Sequence, residues 1–332
     1  MKKILITGAS GFIGRFLVED CLKRGYEVYA TVRKTSKIDH LKHLDVRFIV
    51  VDLSHIDSLV STLKDLPKMD FIIHNAGLTK AFEQQDYIST NVTLTKNLVE
   101  ALKKSDRVPT KLLYVSSLAA YGPGNPDSIE PVTNESIPQP VTSYGTSKLA
   151  AERFVMKQEQ IPWIVVRPTA VYGPGERDIF EAIKLMNARF DFRVGSIPQN
   201  LTFVYVKDLV RAKLDLLESD VVRKAYFVSD GNIYSKKHMG RYVSKALNKK
   251  ILSITIPMPL VKVVAFITEK YSRWITKKAP ALNIEKIAEL TARNWNCDIK
   301  PLQQDIGYMA KYDLEDGIRE TITWYKENKW IK

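Results

Sequence analysis

The stretch that most constrains this chain is its first fourteen residues, Met1-Lys-Lys-Ile-Leu-Ile-Thr-Gly-Ala-Ser-Gly-Phe-Ile-Gly14. Ile4, Leu5 and Ile6 read as a short buried strand, and Gly8, Gly11 and Gly14 follow at three-residue spacing. Phe12, Ile13, Phe16, Leu17 and Cys21 then recur at helical spacing, so a helix opens inside the glycine run. Strand, tight turn and helix N-terminus together form a pyrophosphate cradle, because backbone N–H groups point at the anion and absent side chains let it approach. Gly8, Ser10, Gly11, Phe12, Ile13 and Gly14 are the expected contacts.

The first half keeps alternating. Apolar runs at 3–7, 26–32, 46–51, 69–74, 110–116 and 161–167 predict strands, and amphipathic stretches at 12–24, 55–64, 86–104 and 143–159 predict helices. Helices between successive apolar strands imply a doubly wound parallel sheet covered on both faces, an α/β fold. The longest loop, 122–142, is rich in Pro, Asn, Ser and Glu, and long loops in compact domains usually serve function. Two cysteines, Cys21 and Cys297, make no disulfide framework, and no apolar leader follows Lys2-Lys3. The expectation is a cytoplasmic protein.

A cofactor preference is written after the second strand. An acid there would hold a ribose 2′-hydroxyl; this chain carries Thr31 at the end, then Arg33 and Lys34, and a guanidinium suits a 2′-phosphate. NADP(H) is therefore preferred and NAD(H) possible, the competing reading being two solvated basic residues in a loop. Asp52, followed by Leu53, either accepts from an adenine amino group or caps the next helix. In Phe71-Ile-Ile-His-Asn-Ala-Gly77, the small residues Asn75, Ala76 and Gly77 let a cofactor lie across the strand end, and His74 reads as a packed residue rather than a catalyst. Asn91, within an otherwise amphipathic helix, either has a structural partner or holds a water in a proton path.

Two segments carry the chemistry. Leu112-Leu-Tyr-Val-Ser-Ser117 is a strand ending in hydroxyls, and Tyr144-Gly-Thr-Ser-Lys148 opens a helix. Tyr and Lys four apart share a helix face. A phenol titrates near 10 in water, and a neighbouring ammonium with a positively charged nicotinamide would favour the phenolate. Tyr144 would then exchange a proton with a substrate oxygen that Ser117 also binds.

These pieces, in this order, resemble the extended branch of the short-chain dehydrogenase/reductase superfamily, the NAD-dependent epimerase/dehydratase family. The matching elements also include Arg167-Pro168-x-x-x-Tyr172-Gly-Pro-Gly175 and Phe203-Val-Tyr-Val-Lys-Asp208, so the likeness covers essentially the whole chain. It implies a Rossmann domain with a smaller, mostly helical C-terminal substrate lobe. It implies Ser117, Tyr144 and Lys148 as catalytic, with Asn91 as a relay, and Pro168 and Thr169 lining the nicotinamide. Thr79, Lys80, Ser117, Tyr144 and Tyr172 are the expected substrate contacts, and no metal is expected. Family dehydratases carry an acid pair where Leu118 and Ala119 stand, which disfavours that reaction. Family epimerases carry a late Arg-x-Gly-Asp-like element; Glu289 to Gln303 lacks the glycine–acid pair although Arg293 is present.

Ile251 to Ile267 resembles the same region of dihydroflavonol-reductase-like and 3β-hydroxysteroid-dehydrogenase-like members, as does Ala279-Pro-Ala-Leu-Asn283. By itself the run is too short to span a bilayer. A core helix is the leading reading, with a substrate wall or an interfacial helix as alternatives. Around it, residues 221–280 hold 13 Lys/Arg against Asp230 and Glu269, a net +11 of the chain's +13. A solvated face is the default reading of this belt; an anionic membrane surface or an anionic substrate are the others, and no nucleic-acid reading motif accompanies it. The expected enzyme moves hydride between NADP(H) and a secondary alcohol or ketone on an apolar, steroid-like or polyphenol-like molecule, with a nucleotide-sugar 4-epimerase second and an idle NADP sensor third. Residues 1–172 and 201–231 form the cofactor domain and 173–200 and 232–332 the substrate lobe. The resemblance also implies a homodimer through helices 86–104 and 143–159.

Overall fold

The computed structural model describes residues 1–272 and 283–331. From the N-terminus, β1 (Lys3–Thr7) runs into α1 (Phe12–Lys23), and the alternation continues through β2 (Glu27–Val32), β3 (Val46–Val50), α2 (Ile56–Asp65) and β4 (Phe71–His74). Next come α3 (Gln84–Tyr87), α4 (Leu94–Lys104), β5 (Lys111–Val115), α5 (Ser143–Met156) and β6 (Trp163–Pro168). The expected helix 86–104 is broken: a wide turn at Ile88–Thr93 separates α3 from α4 and turns Asn91 inward. The second half holds β7 (Ala170–Tyr172), α6 (Asp178–Asn187), β8 (Phe190–Val194), β9 (Phe203–Tyr205), α7 (Val206–Glu218) and β10 (Lys224–Val228). It ends with α8 (Lys236–Leu247), β11 (Leu252–Ile256), α9 (Met258–Tyr271), α10 (Ile284–Thr291), α11 (Lys300–Ile306) and α12 (Leu314–Glu327).

Seven strands form one sheet in the order β10-β6-β5-β4-β1-β2-β3, every pairing parallel. Parallel strands buried on both faces need apolar side chains on both. In β1, Ile4 and Ile6 enter the core shared with Leu17 and Val18 of α1 and Leu209 of α7, while Leu5 enters the core shared with Leu59 of α2, Leu98 of α4 and Val155 of α5. The order reverses between β1 and β4, and ligands of such sheets bind outside the strand C-termini at that reversal. The glycine turn, Asn75–Gly77 and Ser117 all stand there.

Beyond the sheet, Tyr172, Phe203, Tyr205, Val243, Leu314, Ile318 and Tyr325 build a separate core between β7, β9, α8 and α12. A two-stranded parallel sheet, β8 with β11, packs beside it. The apolar run 251–267 is β11 and most of α9, and the core-helix reading needs correction. Val261 and Ala265 are buried, whereas Leu260, Val263, Val264, Phe266, Ile267 and Tyr271 are exposed. Among the described residues, only one face of α9 has a partner. The segment Ala279 to Leu282 and the basic residues Arg273, Lys277 and Lys278 lie outside the described residues. No helix among the described residues is long and apolar enough to cross a membrane.

Candidate active site

A cavity of about 850 Å³ opens over the C-terminal ends of the sheet strands. The glycine turn forms one end. Gly8 takes a left-handed backbone (φ +71°), and a side chain there would strike the Ala76 backbone at 2.7 Å. Gly14 does not reach the cavity: a Cβ there would meet the Gly8 carbonyl at 2.2 Å, so its smallness lets α1 close onto the turn. α1 begins without a side-chain cap and without an acid in its first turn, leaving its N–H groups for an anion. Ser10, Gly11, Phe12 and Ile13 line this end.

Arg33, Asp52 and Leu53 form the far wall, while Lys34 is exposed and away from it. Asp52 accepts from the Ser54 N–H at 2.9 Å, which with the nearby Arg33 charge keeps its carboxyl below the usual range. The cap of α2 is His55, so Asp52 is not the helix cap that the sequence offered. Asn75, Ala76, Gly77, Pro168 and Thr169 line the middle. Ser116 also lines it, its buried hydroxyl without a partner among the described residues. The open helix N-terminus, the glycine approach and this hydroxyl fit a nicotinamide dinucleotide.

Under that floor, hydrogen counting fixes a histidine. Thr95 donates its hydroxyl proton to the Asn91 carbonyl, so it accepts from His74 Nε2–H at 2.9 Å. His74 Nδ1 then accepts from the Thr7 hydroxyl at 2.7 Å, and Thr7 accepts from the Ala76 N–H. Burial pushes the imidazole down to about 3. His74 is thus a neutral strut for the Asn75–Gly77 turn, the packed residue that its position suggested.

The catalytic set is assembled by α5. Thr142 caps the helix by accepting from the Gly145 N–H at 3.0 Å, which puts Tyr144 in the first turn and Lys148 one turn on. Gly145 permits a contact that sequence reasoning missed: a Cβ there would lie 2.2 Å from the Ala119 carbonyl, so only glycine lets α5 approach the turn after Ser117. Ser117 accepts from the Ala119 N–H at 3.1 Å, and it lines the cavity together with Tyr144. Tyr87 flanks Tyr144 with ring centres 6.3 Å apart.

The electrostatics differ from the sequence expectation. Enclosure pushes the Tyr144 phenol up to about 12, with the nearby Ser117 hydroxyl pulling the other way. The Lys148 ammonium donates instead to the Val115 carbonyl at 2.5 Å and lies over the Tyr114 ring at 4.4 Å. Burial draws it down to about 7, partly offset by Glu152. Glu152 is itself gripped by buried Arg167 through Nε and Nη2 at 3.0 and 2.6 Å, which pins α5 to β6.

Of the remaining expected residues, Thr79 and Lys80 line the cavity, Lys80 pairing with Asp178 at 2.5 Å. Asn91 does not line it. Its carboxamide accepts from the Leu78 N–H and donates to the Leu78 carbonyl and Ser147 hydroxyl, tying the cavity wall to α5, which is the structural-partner reading. Tyr172 is a correction: it is buried in the second core, its hydroxyl donating to the Asp313 carbonyl at 3.0 Å, and it does not reach the cavity. Two participants carried no sequence signal. Glu285 of α10 lines the cavity and accepts from both the N–H and the hydroxyl of Ser143, at 3.0 and 2.5 Å, joining α10 to the start of α5. Lys213 of α7 is fully buried and donates to Asn75 Oδ1 at 3.3 Å, its ammonium drawn down to about 7 by burial and by Lys148. Arg293 pairs with Asp127 and lies away from the cavity.

The chain is similar along its length to curated proteins. It is 26% identical to the sterol-4-alpha-carboxylate 3-dehydrogenase (decarboxylating) of Candida albicans, covering 99% of each chain. It is 26% identical to the ceramide reductase of Caulobacter vibrioides, covering 99% of this chain and 96% of that one. Among solved structures it superposes on a UDP-glucose 4-epimerase of Thermotoga maritima with a TM-score of 0.79 at 19% identity, over 98% of this chain and 99% of that one, a likeness of fold. Residues 4–229 match the NAD dependent epimerase/dehydratase family, and the chain belongs to that family as an enzyme of the oxidoreductase type with a parallel-sheet dinucleotide fold.

Proposed function

We propose that the chain is an NADP(H)-dependent reductase, or in reverse a dehydrogenase, of a secondary alcohol or ketone on an apolar small molecule. The observation that carries this reading is that Ser117, Tyr144 and Lys148 line one cavity with the cofactor turn, Lys148 one helical turn beyond Tyr144 on α5. A bound nicotinamide supplies or accepts the hydride. Ser117 binds the substrate oxygen and holds it against the phenol. Tyr144, held protonated by enclosure, is a proton donor to that oxygen, which suits ketone reduction. Lys148 lines the same cavity, its ammonium held by the Val115 carbonyl and the Tyr114 ring, and would orient the bound cofactor. Asn91 acts by fixing Leu78 and Ser147 rather than as a relay. Arg33 holds the 2′-phosphate, and Gly8, Gly11 and the start of α1 hold the pyrophosphate. Residues 1–172 and 201–231 form the cofactor body, 173–200 and 232–332 the substrate lobe.

The apolar substrate class follows the sterol and ceramide named for two relatives. A nucleotide-sugar 4-epimerase would use the same Ser117, Tyr144 and Lys148. Arg293 pairing with Asp127 outside the cavity removes the expected diphosphate anchor from that reading. Tyr144→Phe tests the mechanism. It should lower turnover at least about a hundredfold, the ordinary worth of positioned acid catalysis, with cofactor affinity little changed. Near-normal turnover would refute the assignment.

A further inference from the structure

The small lobe presents an apolar face that nothing among the described residues covers. On α9 the exposed residues Leu260, Val263, Val264, Ile267 and Tyr271 follow helical spacing and form one stripe, with Phe266 beside it. The opposite stripe, Val261 and Ala265, packs on Ile287 of α10 and on Val194 and Ile256 of the small sheet. That sheet continues the face. Asp191 and Arg193 of β8 turn toward α8, where Gly240 lies against the Asp191 carboxylate. The other side of β8 and β11 shows Phe190, Phe192 and Leu252 to solvent, the two phenylalanines stacked at 6.0 Å. Val194 and Ile256, next along the same strand faces, lie beneath α9, so sheet and helix make one surface.

We infer that this face docks the enzyme on an anionic phospholipid bilayer. Large contiguous apolar patches mark interaction sites. An amphipathic helix that lies in the headgroup plane needs an apolar stripe with cations around it. The described part of segment 221–280 is rich in Lys and Arg, Lys262 and Lys270 on α9 itself among them. Among the described residues, Lys237, Lys250, Lys262 and Lys270 form no ion pair with a carboxylate. That charge repels a second copy of the same face and attracts acidic headgroups. The occupant that fits both apolar stripe and belt is therefore a negatively charged lipid surface. α10, which packs on α9, also supplies Asn283, Glu285 and Glu289 to the cavity wall, so the bilayer would lie beside the route into the site. Entry of an apolar substrate along that route rests on the function proposed above; the docking itself does not.

The test is flotation of the purified full chain with vesicles of phosphatidylcholine alone and of phosphatidylcholine mixed with phosphatidylglycerol. The chain should float with the anionic vesicles and not with the neutral ones, and high salt should release it. Phe266→Glu combined with Ile267→Glu should cut the bound fraction at least about tenfold. Met309→Glu, at an exposed apolar residue elsewhere, should leave it unchanged. Both variants replace exposed side chains, and circular dichroism melts verify folding. Absent flotation, equal flotation with neutral vesicles, or full flotation of the double variant would overturn the inference. So would a dimer that the double variant dissociates while neither protein binds vesicles, which would make the face a self-interface.

Discussion

Replacing Lys213 by methionine separates stability from cofactor binding at one buried position. The side chain is fully enclosed, its Nζ donating to Asn75 Oδ1 and lying within electrostatic reach of Lys148. Burial draws the ammonium from its ordinary 10.5 to about 7. At 1.36 kcal/mol per pH unit, keeping this lysine in the folded chain at neutral pH costs about 4 kcal/mol relative to a solvated one. Methionine removes that cost but forfeits the Asn75 hydrogen bond, about 1–2 kcal/mol, and fits imperfectly, about 1 kcal/mol. The net gain is about 1–2 kcal/mol, a rise in melting temperature of about 1–3 °C. The sign with pH follows from proton counts. Between about 7 and 10.5 the unfolded chain binds the proton more tightly, so wild-type stability rises with pH across that window, and the variant loses one lysine's share of the rise. Thermal melts of both proteins across that range read this directly. The same variant frees the Asn75 carboxamide in the cavity floor, so dinucleotide affinity should fall while stability rises. A Lys213→Met protein that melts below wild type at pH 7, with an unchanged pH slope, would refute the reasoning.

Other perturbations follow from the same geometry. Arg33→Ala should weaken NADPH far more than NADH in fluorescence titrations; equal weakening would mean that the guanidinium does not read the 2′-phosphate. Glu152→Ala leaves buried Arg167 without its carboxylate and should cost about 3–5 kcal/mol in urea unfolding, with Glu152→Gln costing less. His74 is held neutral with its pKa pushed down to about 3, so the stability present above about pH 6.5 should decline as pH falls toward 3. His74→Gln should flatten that decline in chemical unfolding at acid pH.

The parts of this molecule set by local periodicity were legible in the chain. The glycine turn, the strand–helix alternation and the Tyr144–Lys148 spacing each follow from a few neighbouring residues, and the structure places the six expected strands in one parallel sheet. What was not legible depends on distant partners. Glu285 reaches Ser143 across 142 positions and Lys213 reaches Asn75 across 138, and neither carries a local pattern. Gly145 looked ordinary until Ala119 was seen against it. Tyr172 was misread because its motif stands near the strand end, while its hydroxyl is taken by Asp313, 141 residues on. Nor could composition tell how many sides of α9 are covered, since apolar residues circle the helix and only packing chooses among them. Where the Lys148 ammonium goes was hidden for a similar reason. Spacing put the ammonium on the Tyr144 face, but the Val115 carbonyl and the Tyr114 ring hold it.

The most direct test of the proposed chemistry follows nicotinamide absorbance when purified protein and NADPH meet an apolar ketone, such as a 3-ketosteroid, or a UDP-sugar. The account predicts NADPH oxidation in proportion to alcohol formed from the ketone, abolished by Tyr144→Phe. Interconversion of the UDP-sugar with no net change in absorbance, and no turnover of any apolar ketone, would contradict it.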